Sequence, residues 1–443
     1  MIRFAPNKPF DVAKWPFFYG WMILACGSLG ILMSIPGQTM GVSVFTDSLI
    51  EALHISRDEL SLAYMLGTIG SSFILPWAGK QYDKYGARML AIMASIGLGS
   101  ILVFLSKIDV LLFQWFKVSS SVVVIATTTI GFLFLRFFGQ GVLTMTSRNM
   151  MMEWFDRRRG FATGFSNVFV ALSFSSAPLL LYYLIDSVGW SNAWQYLAVI
   201  AGLGFSIFFY IFYRDTPEKC GLKPDGNYSK PIKNTKHFFP VVKDFTKKEV
   251  MRNFAFWVIA LMLAMQGLYV TGFTFHVISI FQEAGYTEAQ AISIFPPIAV
   301  VAVITTLAAS SISDYIPLKY LIYVKGFGAS CGILGMTQLA NWDIAYYLII
   351  VGTGIMSGLF GVLTSVTWPR YYGRKYLGAI SGQATMMIVF GSALGPILFS
   401  LSLTAFESYK VAGLICFFLF LSLTIAAVKA DNPQRNLVKE STT

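Results

Sequence analysis

Residues Gly79–Arg88, GKQYDKYGAR, decide how the rest of the chain is read. This polar decapeptide separates an apolar run ending near Ala78 from another that begins at Met89, and its only acid is Asp83. Ten residues are too few for a domain, and the flanking runs are each of a length that crosses a bilayer. The stretch therefore reads as a tight connection at a membrane surface, a turn bracketed by Gly79 and Gly86.

Composition carries that reading to the whole chain. Of 443 residues, 56% are hydrophobic and 12% charged, against roughly 25% charged in soluble domains. The mean hydropathy is +0.64. The formal charge of +11 and the pI of about 9.3 would suggest nucleic acid in a soluble protein. Here the basic residues fall between apolar runs, so the charge reports membrane orientation and no nucleic-acid partner is expected. Four cysteines, Cys26, Cys220, Cys331 and Cys416, lack metal-ligand or disulfide-framework spacing, and His54, His237 and His276 lie far apart. No metal, cofactor or disulfide framework is expected, and with no cluster of His, Cys and acids an enzyme is not expected either.

A bilayer core of about 30 Å needs roughly 20 apolar residues per helix. On that ruler spans fall near 17–46, 58–79, 89–106, 120–147, 160–184 and 191–213. Six more fall near 252–282, 288–311, 318–339, 343–368, 376–402 and 408–430. The expectation is an all-α membrane protein of twelve helices in two six-helix bundles, 1–213 and 252–443, joined by a linker at 214–251. Residues 1–16 lead straight into the first span without a small-residue cleavage site, and so read as an uncleaved start. With the N-terminus inside, 27 of the 33 Lys and Arg lie in inside segments, four in outside segments and two, Arg136 and Lys325, within spans. Both termini are therefore expected to be cytoplasmic. The lysine- and proline-rich linker reads either as a solvated tether or as one carrying a short amphipathic helix on the lipid surface.

The halves repeat. WFDRRRGFATG (Trp154–Gly164) and YYGRKYLGAISG (Tyr371–Gly382) share an aromatic pair, a basic cluster and a G-x-x-x-G opening a helix. Ser56-x-x-Glu59 and Thr287-x-x-Gln290 read as capping boxes starting the second span of each half. Asp83 finds a counterpart in Asp314, in a loop that lacks the glycines and reads as a degraded copy. Parallel repeats of this kind are related by an axis along the membrane normal.

A loop G-x-x-x-D-x-x-G-x-R between the second and third of six-plus-six spans resembles the signature of the major facilitator superfamily. RFFGQG (Arg136–Gly141) is similar to a second signature of that family, one residue shorter in spacing. Tyr19–Trp21 and WFDRRRGFATG resemble the monocarboxylate and oxalate–formate transporter branch. The resemblance implies transport of a small solute by alternating access, often an organic anion with a coupled ion, through a cavity lined in part by the fourth span. The chain departs from that branch in having no lysine in its first span, no basic residue in its eighth and no lysine over Tyr376–Ser402. By resemblance, Asp83 belongs against the start of the eleventh span near Leu377–Gly378, held by Arg88 or Arg148, as a latch between the halves. Gly79, Asp83, Gly86, Arg88, Arg148 and Asp314 are thus the candidate gating residues.

For substrate, Arg136 is the first candidate. A charge at mid-span costs about 2.5–3.5 kcal/mol on insertion scales, which makes it a functional hypothesis by default, and a guanidinium suits a carboxylate. The plainer alternative is a bond to helix carbonyls that only stiffens the bundle. PGQT (Pro36–Thr39) should break the first span, aiming Gln38 and Thr39 at substrate. Gln266, Tyr269, Gln383 and Asn167 lie at comparable depth, each equally open to reading as interhelical glue. His276 is the one span residue that titrates near neutrality, a coupling group or a packing residue. Lys325, some seven residues into its span, is expected to snorkel to the surface. The expectation is a secondary transporter of a small organic anion in the cell membrane, monomeric, with a coupled proton or other ion and membrane lipid as its further partners. The competing readings are an exporter of amphipathic compounds and, in a different class, a channel or non-transporting sensor.

Overall fold

The computed structural model describes residues 4–226, 241–435 and 437 of the chain. Among these, ten helices are long and apolar enough to cross a membrane. The first span is broken as PGQT requires. Helix α1 (Gly20–Leu32) ends in a 3-10 turn at Ile35–Gly37, and the chain resumes as α2 (Thr39–Ser43) and α3 (Thr46–Leu53). Helix α4 (Arg57–Tyr85) starts with a capping box in which Ser56 and Glu59 satisfy each other's backbone N–H. Helix α5 (Ala87–Ser106) follows, then one 34-residue span built from α6 (Ser121–Arg136), a π-helical stretch Phe137–Leu143 and α7 (Thr144–Trp154). Helix α8 (Arg159–Val188) is followed by α9 (Trp190–Ala198), a second π-helical stretch at Val199–Gly204, and α10 (Phe205–Phe212).

After the short α11 (Lys247–Val250), capped by Thr246 and Glu249, come α12 (Phe254–Glu283), α13 (Glu288–Ile292) and α14 (Phe295–Ser313). Thr287 and Gln290 form the expected capping box before α13. Helices α15 (Leu318–Thr337), α16 (Ala345–Tyr372), α17 (Leu377–Phe406) and α18 (Lys410–Ala426) complete the described chain. Helix α15 is not among the ten, because Lys319 and Lys325 and its many small residues lower its hydropathy. Within the expected linker, Glu218–Cys220 form one 3-10 turn. Residues 227–240, where an amphipathic helix was an open reading and where His237 lies, fall outside the described residues.

Gly79–Arg88 is not the loop expected. Helix α4 continues through Tyr85, so Asp83 stands on its last turn, and the connection to α5 is the single residue Gly86. Gly86 has φ +86°, and a Cβ there would sit 2.3 Å from the Asp215 carboxylate, so both conformation and space demand glycine. Asp215 in turn accepts the Arg88 backbone N–H at 3.1 Å and caps α5. The two halves also share D-x-P: Asp215-Thr216-Pro217 follows α10, and Asp431-Asn432-Pro433 follows α18. Asp431 pairs with Lys319 in the first turn of α15 at 2.8 Å.

The helices form two compact units. The first holds residues 1–156, 169–228 and 381–386; the second holds 157–168, 229–380 and 387–443. In each, helices meet at glycines. In the second unit a Cβ on Gly352 would lie 2.3 Å from the Gly332 nitrogen, and one on Gly328 would meet Ile355 at 2.7 Å. Such close backbone approach is how helices gain dispersion contact where lipid removes the hydrophobic drive between them. Large apolar side chains such as Leu180, Phe275, Ile304, Phe327 and Phe418 point outward, exposed, as a lipid-facing surface requires.

Candidate functional site

In the first unit the break in the first span builds a polar site around Arg136. Pro36 and Gly37 leave the Gly37 carbonyl outside any helix, and Arg136 Nη1 donates to it at 3.1 Å and to Thr39 Oγ1 at 3.3 Å. Tyr64 of α4 donates to the same Thr39 oxygen at 3.0 Å, and its ring lies 5.1 Å from the guanidinium carbon. The crossing is set by glycine. A Cβ on Gly37 would stand 2.5 Å from the Leu135 carbonyl and 2.8 Å from Gly139 Cα, which gives Gly139 of RFFGQG its physical reason. Gln38 donates to Ser34 at 3.0 Å and to Thr144 at 3.3 Å, one helical turn away on the same wall.

Arg136 is 2% exposed. Among the described residues no carboxylate pairs with it, and its Nε is buried without a hydrogen-bond partner. The π-helical stretch begins at the next residue, a widening of the helix often found at functional sites. Arg136 and Thr39 are therefore in direct contact, while Gln38, next in the chain to Thr39, turns to Ser34 and Thr144. Gln383 is not part of this cluster: its amide donates to Met386 Sδ at 3.4 Å on its own helix.

The second unit corrects the expectation for Lys325. The side chain does not reach a surface; it is fully buried. Its Nζ donates to Gln266 Oε1 of α12 and, at 2.9 Å, to the Met356 carbonyl of α16. The Phe360 ring centroid is 5.6 Å away. Snorkelling fails because α15 turns this side chain toward α12 and α16 rather than along its own axis. Gln266 is thus a lysine partner, and Tyr269, one turn on, is buried and stacks on Phe273, with its hydroxyl beside that of Thr353. Asn167 lies in the second unit, its buried amide nitrogen packed against Gly361 without a hydrogen-bond partner. His276 is bonded from both ring nitrogens, Nε2 to the Pro396 carbonyl at 3.2 Å and to Ser400 at 3.3 Å, Nδ1 to Tyr409 at 3.3 Å. It also lies parallel to Phe399, with centroids 6.3 Å apart.

The gating candidates divide. Arg88 spends its guanidinium on the carbonyls of Tyr213 (2.7 Å), Ala5 (3.2 Å) and Lys8 (2.6 Å), tying the N-terminal segment to α5 and α10, and so is not the partner expected for Asp83. Arg148 lies on α7 beside Asn149, which donates to Ser381 at 2.7 Å. Gly79 packs on Gly382, where a Cβ would come 3.2 Å from its Cα. Asp314, read as a degraded copy, is fully engaged. Its carboxylate accepts the N–H groups of Gly160 (3.0 Å) and Phe161 (3.3 Å) in the first turn of α8 and pairs with Arg370 at 3.0 Å. Burial holds this carboxyl above the ordinary range, and Arg370 with the two amides offsets only part of that rise. The missing loop glycines do not matter, because the close approach comes from the other side. A Cβ on Gly160 would meet the Ser310 carbonyl at 2.2 Å, and one on Gly164 would meet Ser310 Cβ at 2.6 Å.

A family model described as the Major Facilitator Superfamily matches residues 27–396. The uncharacterized MFS-type transporter YhjX of Escherichia coli (strain K12) is 23% identical over 239 residues, which are 53% of this chain and 52% of that protein, so the chain spans about half the length of this relative. The proton:xylose symporter XylE superposes with a TM-score of 0.70 at 16% identity, over 94% of this chain and 98% of that one. A bacterial homologue of the iron transporter ferroportin gives 0.64 at 12% identity, over 92% and 98%. The human organic anion transporter MFSD10 gives 0.64 at 11% identity, over 92% and 99%. At these identities the likeness is one of fold.

Proposed function

The chain belongs to the Major Facilitator Superfamily of membrane transporters, and from that premise we propose that it carries a small organic anion, a carboxylate, by alternating access, with Arg136 as the counter-charge. One observation carries the reading: a guanidinium 2% exposed, without an acid beside it and with Nε unspent. A fixed cation in an apolar bundle is costly, and a bond that merely braces the helix break needs no charge, since a neutral amide donates as well. A planar fork with free N–H groups instead matches a carboxylate in bidentate fashion. Thr39, Gln38 and Tyr64 add neutral donors and acceptors around the incoming group. Asp314 and Asp83 serve as gating contacts, each at the end of a helix that leads to a tight corner. Cytoplasmic termini and a monomeric carrier in the cell membrane complete the proposal.

The test is counterflow in proteoliposomes containing the purified chain, with labelled two- to four-carbon carboxylates as probes. Saturable exchange of a carboxylate is the expected result. Exchange confined to neutral or cationic solutes would overturn the anion reading, and non-saturating conductance would overturn the carrier.

A further inference from the structure

We propose that Lys325 is a proton-binding site of this carrier, held as a neutral amine in the present conformation and protonated when the cargo moves. The inference rests on the carrier reading only for its second half, the coupling. The first half rests on geometry. A neutral amine has two N–H donors and one lone pair; an ammonium has three donors. Lys325 Nζ has two acceptors, Gln266 Oε1 and the Met356 carbonyl, which take both N–H groups of the amine and would leave the third N–H of an ammonium without a hydrogen-bond acceptor. An isolated charge taken fully out of water needs an anion close by.

Among the described residues no carboxylate pairs with Lys325. Helix α14 carries no titratable side chain, and α16 carries only Tyr346 and Tyr347 before its last turn, where Arg370 is already paired with Asp314. Helix α12 carries Tyr269 and, further along, His276 and its last residue Glu283, which are bonded to Tyr409 and to Ser408 respectively; α18 presents Cys416, with Lys410 at its far end, and α15 itself has Lys319, Tyr320, Tyr323 and Cys331. In the turn after α18 stands Lys429, and Asp431 beyond it is taken by Lys319 at 2.8 Å. Larger ions are excluded by space, because Lys325 has no exposed surface; a proton passed along a water chain is not. The step transfers one proton from hydronium to the Nζ lone pair: an O–H bond of the hydronium breaks, an N–H bond forms and water is left behind. Phe360, 5.6 Å away, offers the ammonium the face of a ring. Protonation of Lys325 together with entry of a carboxylate at Arg136 would move an acid as a neutral pair of charges.

Two measurements test the two halves separately. The intact protein in weakly buffered detergent at pH 8 is unfolded with dodecyl sulfate while a pH dye reports protons taken up. Wild type is expected to take up about one proton per chain more than Lys325→Met or Lys325→Gln. Equal uptake would show that Lys325 is already charged when folded and would overturn the proposal. In proteoliposomes, both variants are expected to keep carboxylate counterflow yet lose accumulation driven by a pH gradient, with Lys325→Arg behaving like them in accumulation. Retained gradient-driven accumulation in both variants would overturn the coupling role. If wild type exchanges no carboxylate at all, the anion reading fails while the proton count still decides the state of Lys325.

Discussion

At Arg136 a few ångströms of backbone decide the chemistry. Gly37 and Gly139 bring the first and fourth spans close enough for the guanidinium to reach the freed carbonyl of the break, at 3.1 Å. That bond uses one terminal nitrogen and leaves Nε unspent. Arg136→Gln, which keeps a neutral donor, is expected to weaken carboxylate binding roughly 10- to 100-fold, the loss of a charge-assisted bond of about 1.5–3 kcal/mol. Normal yield and elution volume together with saturable uptake at unchanged half-saturation would sink the proposal. Arg136→Lys should fall between, because an ammonium keeps the charge and loses the fork. Gly37→Val should disturb folding itself, as its side chain meets the Leu135 carbonyl at 2.5 Å; a sharply reduced yield of folded protein is the readout.

At the scale of elements, Asp314 acts as a charged cap for α8 as well as the partner of Arg370. Two main-chain bonds and one ion pair hold the first turn of α8 against the end of α14. Caps of this kind contribute about 0.5–2 kcal/mol, enough to shift a conformational equilibrium several-fold. Asp314→Ala is therefore expected to lower turnover several-fold while leaving half-saturation for the carboxylate near its wild-type value. Asp314→Asn, which still accepts from the amides, should retain more activity than the alanine variant. Uptake rates measured against concentration separate the two effects, and an unchanged maximal rate in Asp314→Ala would remove the gating role. Asp83→Asn should likewise slow transport more than it weakens binding.

At the scale of the molecule, each half is finished by its own tail. Arg88 gathers the N-terminal segment onto the first unit, while Gln434 does the equivalent for the second. Its buried amide accepts from the Val242 and Lys243 N–H groups at 3.1 and 3.2 Å and donates to the Lys243 and Tyr371 carbonyls at 2.8 and 3.0 Å. Gln434→Ala forfeits these four bonds, at about 1 kcal/mol each as an upper bound. A drop of several degrees in unfolding temperature, with counterflow preserved at low temperature, is the expected outcome; an unchanged unfolding temperature would refute it.

Apolar run length, the capping boxes at Ser56 and Thr287 and the helix break at PGQT were legible in the residues alone. Each is a local signal: a helix must reach across the lipid, and a chain break or a cap is decided within four residues. Arg136 with Thr39 was legible for the same reason, since a charge in an apolar run marks itself. The partners were not. Lys325 meets Gln266 across 59 positions and Arg88 meets Tyr213 across 125, and D-x-P becomes visible as a pair of corner devices only once Asp215 and Asp431 are seen at work. In water an amphipathic stripe tells which face of a helix turns inward; in lipid most helices are apolar on every side, so that periodicity is lost. Which face each helix turns, and so whether a lysine reaches the surface or stays buried beside a glutamine, is settled only when small residues let particular backbones touch.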